Sequence, residues 1–112
     1  RIILARAAAM AAGRPVILTG DFNCTPASAC HTVFTQTASR PGETPAGFQN
    51  ALAPDFPGTF HGFQGGAGSR CIDWILYRGA ITKDRAEVIP FAADPVYPSD
   101  HYPVAAAFRW RA

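Results

Sequence analysis

Two residues apart, at the end of the apolar run Pro15-Val16-Ile17-Leu18-Thr19, the segment Gly20-Asp21-Phe22-Asn23 carries a carboxylate and a carboxamide. If the run is a strand, alternation sends Asp21 and Asn23 to one face and Phe22 to the other, so both polar groups converge on one bound atom. Asp and Asn also close turns by bonding to nearby backbone, so this pair alone leaves a site and a turn equally open. A third carboxylate, Asp73, stands inside Cys71-Ile72-Asp73-Trp74-Ile75-Leu76-Tyr77. Burying it among these neighbours costs several kcal/mol unless it is paired and hydrogen-bonded. The partner the sequence offers is His101, in Ser99-Asp100-His101-Tyr102-Pro103-Val104. An imidazole held by a buried carboxylate has its tautomer set and its pKa raised, and so serves as a proton or hydrogen-bond donor to an anion.

The elements that must position these groups can be read from the pattern. Residues 2–12 are rich in Ala and long apolar side chains, and Gly13 with Pro15 stops them, which predicts a helix. Val16 to Phe22 reads as a strand buried on both faces and central in its sheet. Thr25 as cap and Pro26 in the first turn predict a short helix after Asn23. Pro and Gly interrupt residues 39–47, a surface loop. Thr59 to Phe63 is strand-like, Gly65 to Ser69 is a flexible connection, and Cys71–Tyr77, Ala86–Phe91 and Tyr102–Trp110 are strands.

Composition narrows the function classes. At 112 residues the chain is one domain at most, and nearly half its residues are apolar, enough for a core. A net charge of +2 with only 16% charged residues is no nucleic-acid footprint by itself. No apolar run reaches the roughly 20 residues of a membrane span, and the start lacks a signal-peptide layout, so a soluble protein is expected with its compartment open. Cys24, Cys30 and Cys71 lack metal-site spacing and read as small packing residues, a Cys24–Cys30 bridge being the minor alternative. The chain opens without Met and already in helical pattern, as expected of a piece of a longer protein.

Taken in order, Gly20-Asp21-Phe22-Asn23, Ile72-Asp73-Trp74-Ile75-Leu76 and Ser99-Asp100-His101-Tyr102-Pro103-Val104 resemble the endonuclease/exonuclease/phosphatase superfamily, deoxyribonuclease I-like proteins, over essentially the whole chain. The resemblance implies half of a four-layer α/β sandwich, with a mixed, mainly antiparallel sheet of four or five strands and helices on one face. It implies a phosphoesterase using Mg²⁺ or Mn²⁺, in which Asp21 orients or deprotonates the attacking water and Asn23 holds that water, a phosphate oxygen or a second metal. Asp100 then falls on a metal-site carboxylate, His101 on the donor to the non-bridging oxygens, and Asp73 on the residue that brases the histidine. Chemically the set is coherent, since phosphodiester cleavage needs a hard cation with oxygen ligands, a base for water and donors for the developing charge.

His61, in Gly58-Thr59-Phe60-His61, is a candidate substrate-binding residue by the same resemblance, while a histidine beside Phe60 and Phe63 is also a natural packing residue. Two departures stand out. Cys71 occupies the place of the family's usual Arg, with Arg70 one residue further off, and neither Glu43 nor Glu87 sits in a motif like that of the family's metal-binding Glu. The amino-terminal half of the domain is therefore expected to be a missing partner, and the chain by itself inactive. Its substrate would be a phosphate ester on a nucleic acid, lipid headgroup or sugar. The competing expectation is a binding or scaffolding module that keeps the fold without catalysis.

Overall fold

The structure, a computed structural model, describes residues 2–36, 47–52, 56–68 and 70–112. Apart from Gly47, the loop expected over 39–47 lies outside the described residues. In chain order the elements are α1 (Ile2–Ala11), β1 (Val16–Asp21), α2 (Ala29–Thr35), β2 (Gln49–Asn50), β3 (Asp73–Arg78), β4 (Ile81–Val88) and β5 (Val104–Trp110). Helix α1 ends as its sequence demands, with Ala12 and Gly13 both at positive φ. Helix α2 starts later than expected. Thr25 closes a turn, its carbonyl accepting from the Ser28 N–H at 3.0 Å. Ser28 is the cap instead, its hydroxyl accepting from the His31 N–H.

Among the described residues the five strands divide between two sheets, ordered β1-β3-β2 and β4-β5, with every pairing antiparallel. That is a departure from a single sheet of four or five strands, although the mixed α/β class stands. β3, not β1, is the central strand of the described sheet. It is paired on both edges, and its Trp74, Ile75 and Leu76 are buried on both faces. β1 pairs along one edge among the described residues, and Ile17 is 51% exposed. An apolar run reports what a strand can be covered by, but not whether the cover lies within the same chain.

Alternation along β3 builds two cores. Trp74 and Leu76 face Phe34 and Phe48, with Leu4, Leu18 and Phe22 packed around them, so α1 and α2 cover this side. Ile75 faces Ala51 and Leu52, with Val88, Val104, Ala106 and Phe108 of the β4-β5 pair packed beyond. The layers therefore run helices, sheet, second sheet. β4 begins five residues before the expected Ala86 because Thr82, Lys83, Asp84 and Arg85 hide it, and a bulge between Lys83 and Arg85 leaves Asp84 over to pair with Arg109 at 2.7 Å.

Candidate functional site

β1 ends at Asp21 where β3 begins at Asp73, and the two are direct partners across the antiparallel ladder. Directly opposed residues project to the same face, so the two carboxylates emerge together at one end of the sheet. Like charges so placed repel unless a donor intervenes. His101 intervenes: its Nδ1 lies 2.8 Å from Asp73 Oδ2 and its Nε2 4.0 Å from Asp21 Oδ2. The hydrogen bond to Asp73 raises the His101 pKa above its ordinary value, partial burial opposes the rise, and the charges of Asp73, Asp100 and Asp21 add to it.

The expected Asp73–His101 pairing is thus present at hydrogen-bond distance. Asn23 lies beyond the end of β1, so strand alternation does not govern its direction. The strand stops at Asp21, and Asn23 sits at φ 52 with its N–H donating to Asp21 Oδ1 at 2.8 Å. A turn conformation that Asn tolerates, not a pleat, sets its direction. Phe22 does turn to the opposite face, stacking on Trp74 with centroids 4.4 Å apart. Asp100 contributes its backbone carbonyl, which accepts from the N–H groups of His61 at 2.9 Å and Gly62 at 3.1 Å. Among the described residues the ligand atoms that cluster within 4.8 Å belong to Asp21, Asp73 and His101, so Asp100 is not part of that cluster.

His61 is buried, its ring stacked on Tyr102 at 4.1 Å and flanked by Tyr97 at 4.8 Å. Aromatic rings thus enclose it, and its Nδ1 accepts from the Gly65 N–H at 3.4 Å. Two of the glycines after it, Gly65 and Gly68, are closely packed in place of the expected loose connection. A side chain on Gly65 would collide with Tyr97, and one on Gly68 with the Gly58 carbonyl. Arg70, set aside on spacing, pairs with Phe60 in an isolated bridge and holds its guanidinium 5.5 Å from the Phe60 ring, which itself lies 5.3 Å from the His101 ring. A cation therefore stands at the margin of the cluster.

Sequence reasoning missed Thr59. It is fully buried, and its Oγ1 lies 2.6 Å from Asp73 Oδ2. The signal available was weak: one Thr before two aromatic-flanked residues, with nothing in its own segment to show that β3 would pass beside it.

In kind, the donors suit a hard divalent cation, which takes carboxylate oxygens. In number they fall short of the six or more ligands such an ion takes, because Asp73 Oδ2 and His101 Nδ1 are already committed to each other. Asp21, with its side chain 40% exposed, is the carboxylate free to reach an ion.

With this geometry in view, comparison with known proteins gives the family. Residues 2–101 match the model of the Endonuclease/Exonuclease/phosphatase family, and the chain belongs to it. Its members generally hydrolyse phosphoester bonds and depend on a divalent metal. The chain is similar to the crystal structure of the endonuclease/exonuclease/phosphatase from Bacteroides vulgatus, at 25% identity and a TM-score of 0.76 over 98% of this chain. It shares its fold with a functionally unknown conserved protein from Enterococcus faecalis V583, at 21% identity and a TM-score of 0.76 over 98% of this chain. It spans 42% of the length of each of these two structures. No curated protein matches it significantly.

Proposed function

We propose that this chain is the carboxyl-terminal portion of a single domain that hydrolyses a phosphomonoester or phosphodiester with Mg²⁺ or Mn²⁺. The observation that carries the proposal is His101 held between two opposed carboxylates, Nδ1 on Asp73 and Nε2 turned toward Asp21. Asp21 orients or deprotonates the attacking water and, with Asn23 and Asp100, would hold the cation. Bound there, the cation would polarise the phosphoryl group and offset its charge. His101, its pKa raised by Asp73, donates to the non-bridging oxygens as negative charge builds.

The exposed flank of α1 and β1 is the face that the rest of the domain covers, which also supplies the remaining metal ligands. The chain alone is then inactive or nearly so. The test is an assay of the full-length protein on bis(4-nitrophenyl) phosphate and 4-nitrophenyl phosphate with Mg²⁺ and Mn²⁺, alongside Asp21→Ala and His101→Ala. Metal-dependent turnover lost in both folded variants supports the assignment. Rates unchanged in both sink it, and metal-independent or absent turnover in the parent favours a binding module that keeps the fold.

A further inference from the structure

We propose that Thr59 is the positioning residue of this site, whose hydroxyl holds the Asp73 carboxylate in place against His101. The inference rests on reading the cluster as a phosphoester-hydrolysing site. The hydrogen-bond inventory around one atom leads to it. Thr59 Oγ1 accepts from the backbone N–H of Ile72 at 3.1 Å and from that of Asp73 at 3.2 Å. A hydroxyl oxygen has two acceptor positions and one proton, so with both positions occupied the proton must be donated. Two acceptors are within reach, Asp73 Oδ2 at 2.6 Å and the Arg70 carbonyl at 3.3 Å. The shorter contact, to a carboxylate, is the stronger.

The consequence passes to the histidine. Asp73 Oδ2 accepts from Thr59 and also meets His101 Nδ1 at 2.8 Å, and a carboxylate oxygen only accepts. Nδ1 must therefore carry a proton, which leaves Nε2 as the ring nitrogen that faces Asp21. Thr59 is itself held from both sides. Its N–H donates to the Arg70 carbonyl at 2.8 Å, and its carbonyl accepts from the Tyr102 N–H, next to His101, at 2.7 Å. One buried residue thus joins the start of β3 to the segment that delivers His101. A threonine kept only for packing would need none of the side-chain bonds.

The test uses full-length protein with Thr59→Val, Thr59→Ser and Thr59→Cys, each checked for folding by circular dichroism. Two quantities are read: the ¹H shift of the His101 Nδ1–H at fixed pH, which reports how closely Asp73 is held against the ring, and kcat and KM for bis(4-nitrophenyl) phosphate with Mg²⁺. Thr59→Val, which keeps the shape and loses the hydroxyl, should move the Nδ1–H signal upfield as the Asp73 contact loosens, and lower kcat about tenfold to a hundredfold with KM little changed. Thr59→Ser should restore the Nδ1–H shift and most of kcat. If Thr59→Val does not fold, Thr59→Cys, with a thiol that donates weakly, should fall below Ser in both readings. An unchanged Nδ1–H shift in the folded Val or Cys variant overturns the proposal. So does a Ser variant as impaired as the Val variant. If the parent shows no turnover the hydrolase assignment fails, and the Nδ1–H shift still decides whether Thr59 holds the pair.

Discussion

The two flanks of β1 differ sharply. The flank that meets β3 closes on itself: Asp73, His101 and Thr59 satisfy one another, and no buried side-chain nitrogen or oxygen among the described residues lacks a partner. The other flank is open. Helix α1 buries none of its residues, and Ile2, Met10 and Ile17, 81%, 82% and 51% exposed, line a groove of about 620 Å³. Polar partners must lie within about 3 Å of one another and are found locally, whereas apolar cover needs area, which a short stretch of chain cannot supply to every face. The contrast separates the arrangement of the site from the completion of the core.

The largest effect that would break this contrast is on the closed flank. His101→Ala in full-length protein should lower phosphoester turnover by about 10² to 10⁴-fold, with folding preserved by circular dichroism. Next is the core behind the site. Trp74, fully buried and stacked on Phe22, should cost about 3–5 kcal/mol when changed to Ala, read from the urea midpoint of full-length protein. The open flank sharpens the comparison through one substitution in two contexts. Ile17→Ser should change the stability of the isolated chain by less than about 0.5 kcal/mol, and lower its aggregation by light scattering. In full-length protein the same change should cost about 1.5–3 kcal/mol if the rest of the domain covers Ile17. Equal effects in both contexts would mean that the face stays exposed.

The smallest expected effect is on pH. His101 has a folded-state pKa above its unfolded value, chiefly through its hydrogen bond to Asp73. Its contribution to stability is therefore complete below about pH 6.5, and is lost as pH rises from there through the raised folded value. The urea midpoint should decline across that window, and Asp73→Asn should flatten the decline. A midpoint that instead rises with pH in the parent alone would contradict the pairing.

Much of the site was legible because its chemistry is written in rare residue types. A carboxylate inside Ile72-Asp73-Trp74 must have a partner, and Asp100-His101 offers the imidazole. Alternation does not reach Asn23, since β1 ends two residues before it and turn geometry takes over. Sequence also could not choose for His61 between substrate and packing. Only the rings of Tyr97 and Tyr102 around it show how it is enclosed.

What the sequence alone determined is the set of strongly periodic or strongly polar elements: helix α1, strands β1 and β3, the alternating final strand, and the carboxylates and imidazole that demand partners. Tertiary structure alone decided that β3 is central, that the strands divide between two sheets, and that Thr59 completes the Asp73–His101 pair. The physical reason is range. Propensity and periodicity act over a few neighbouring residues, but Thr59 lies 14 positions from Asp73 and His101 lies 28, so only the folded chain brings them to one oxygen.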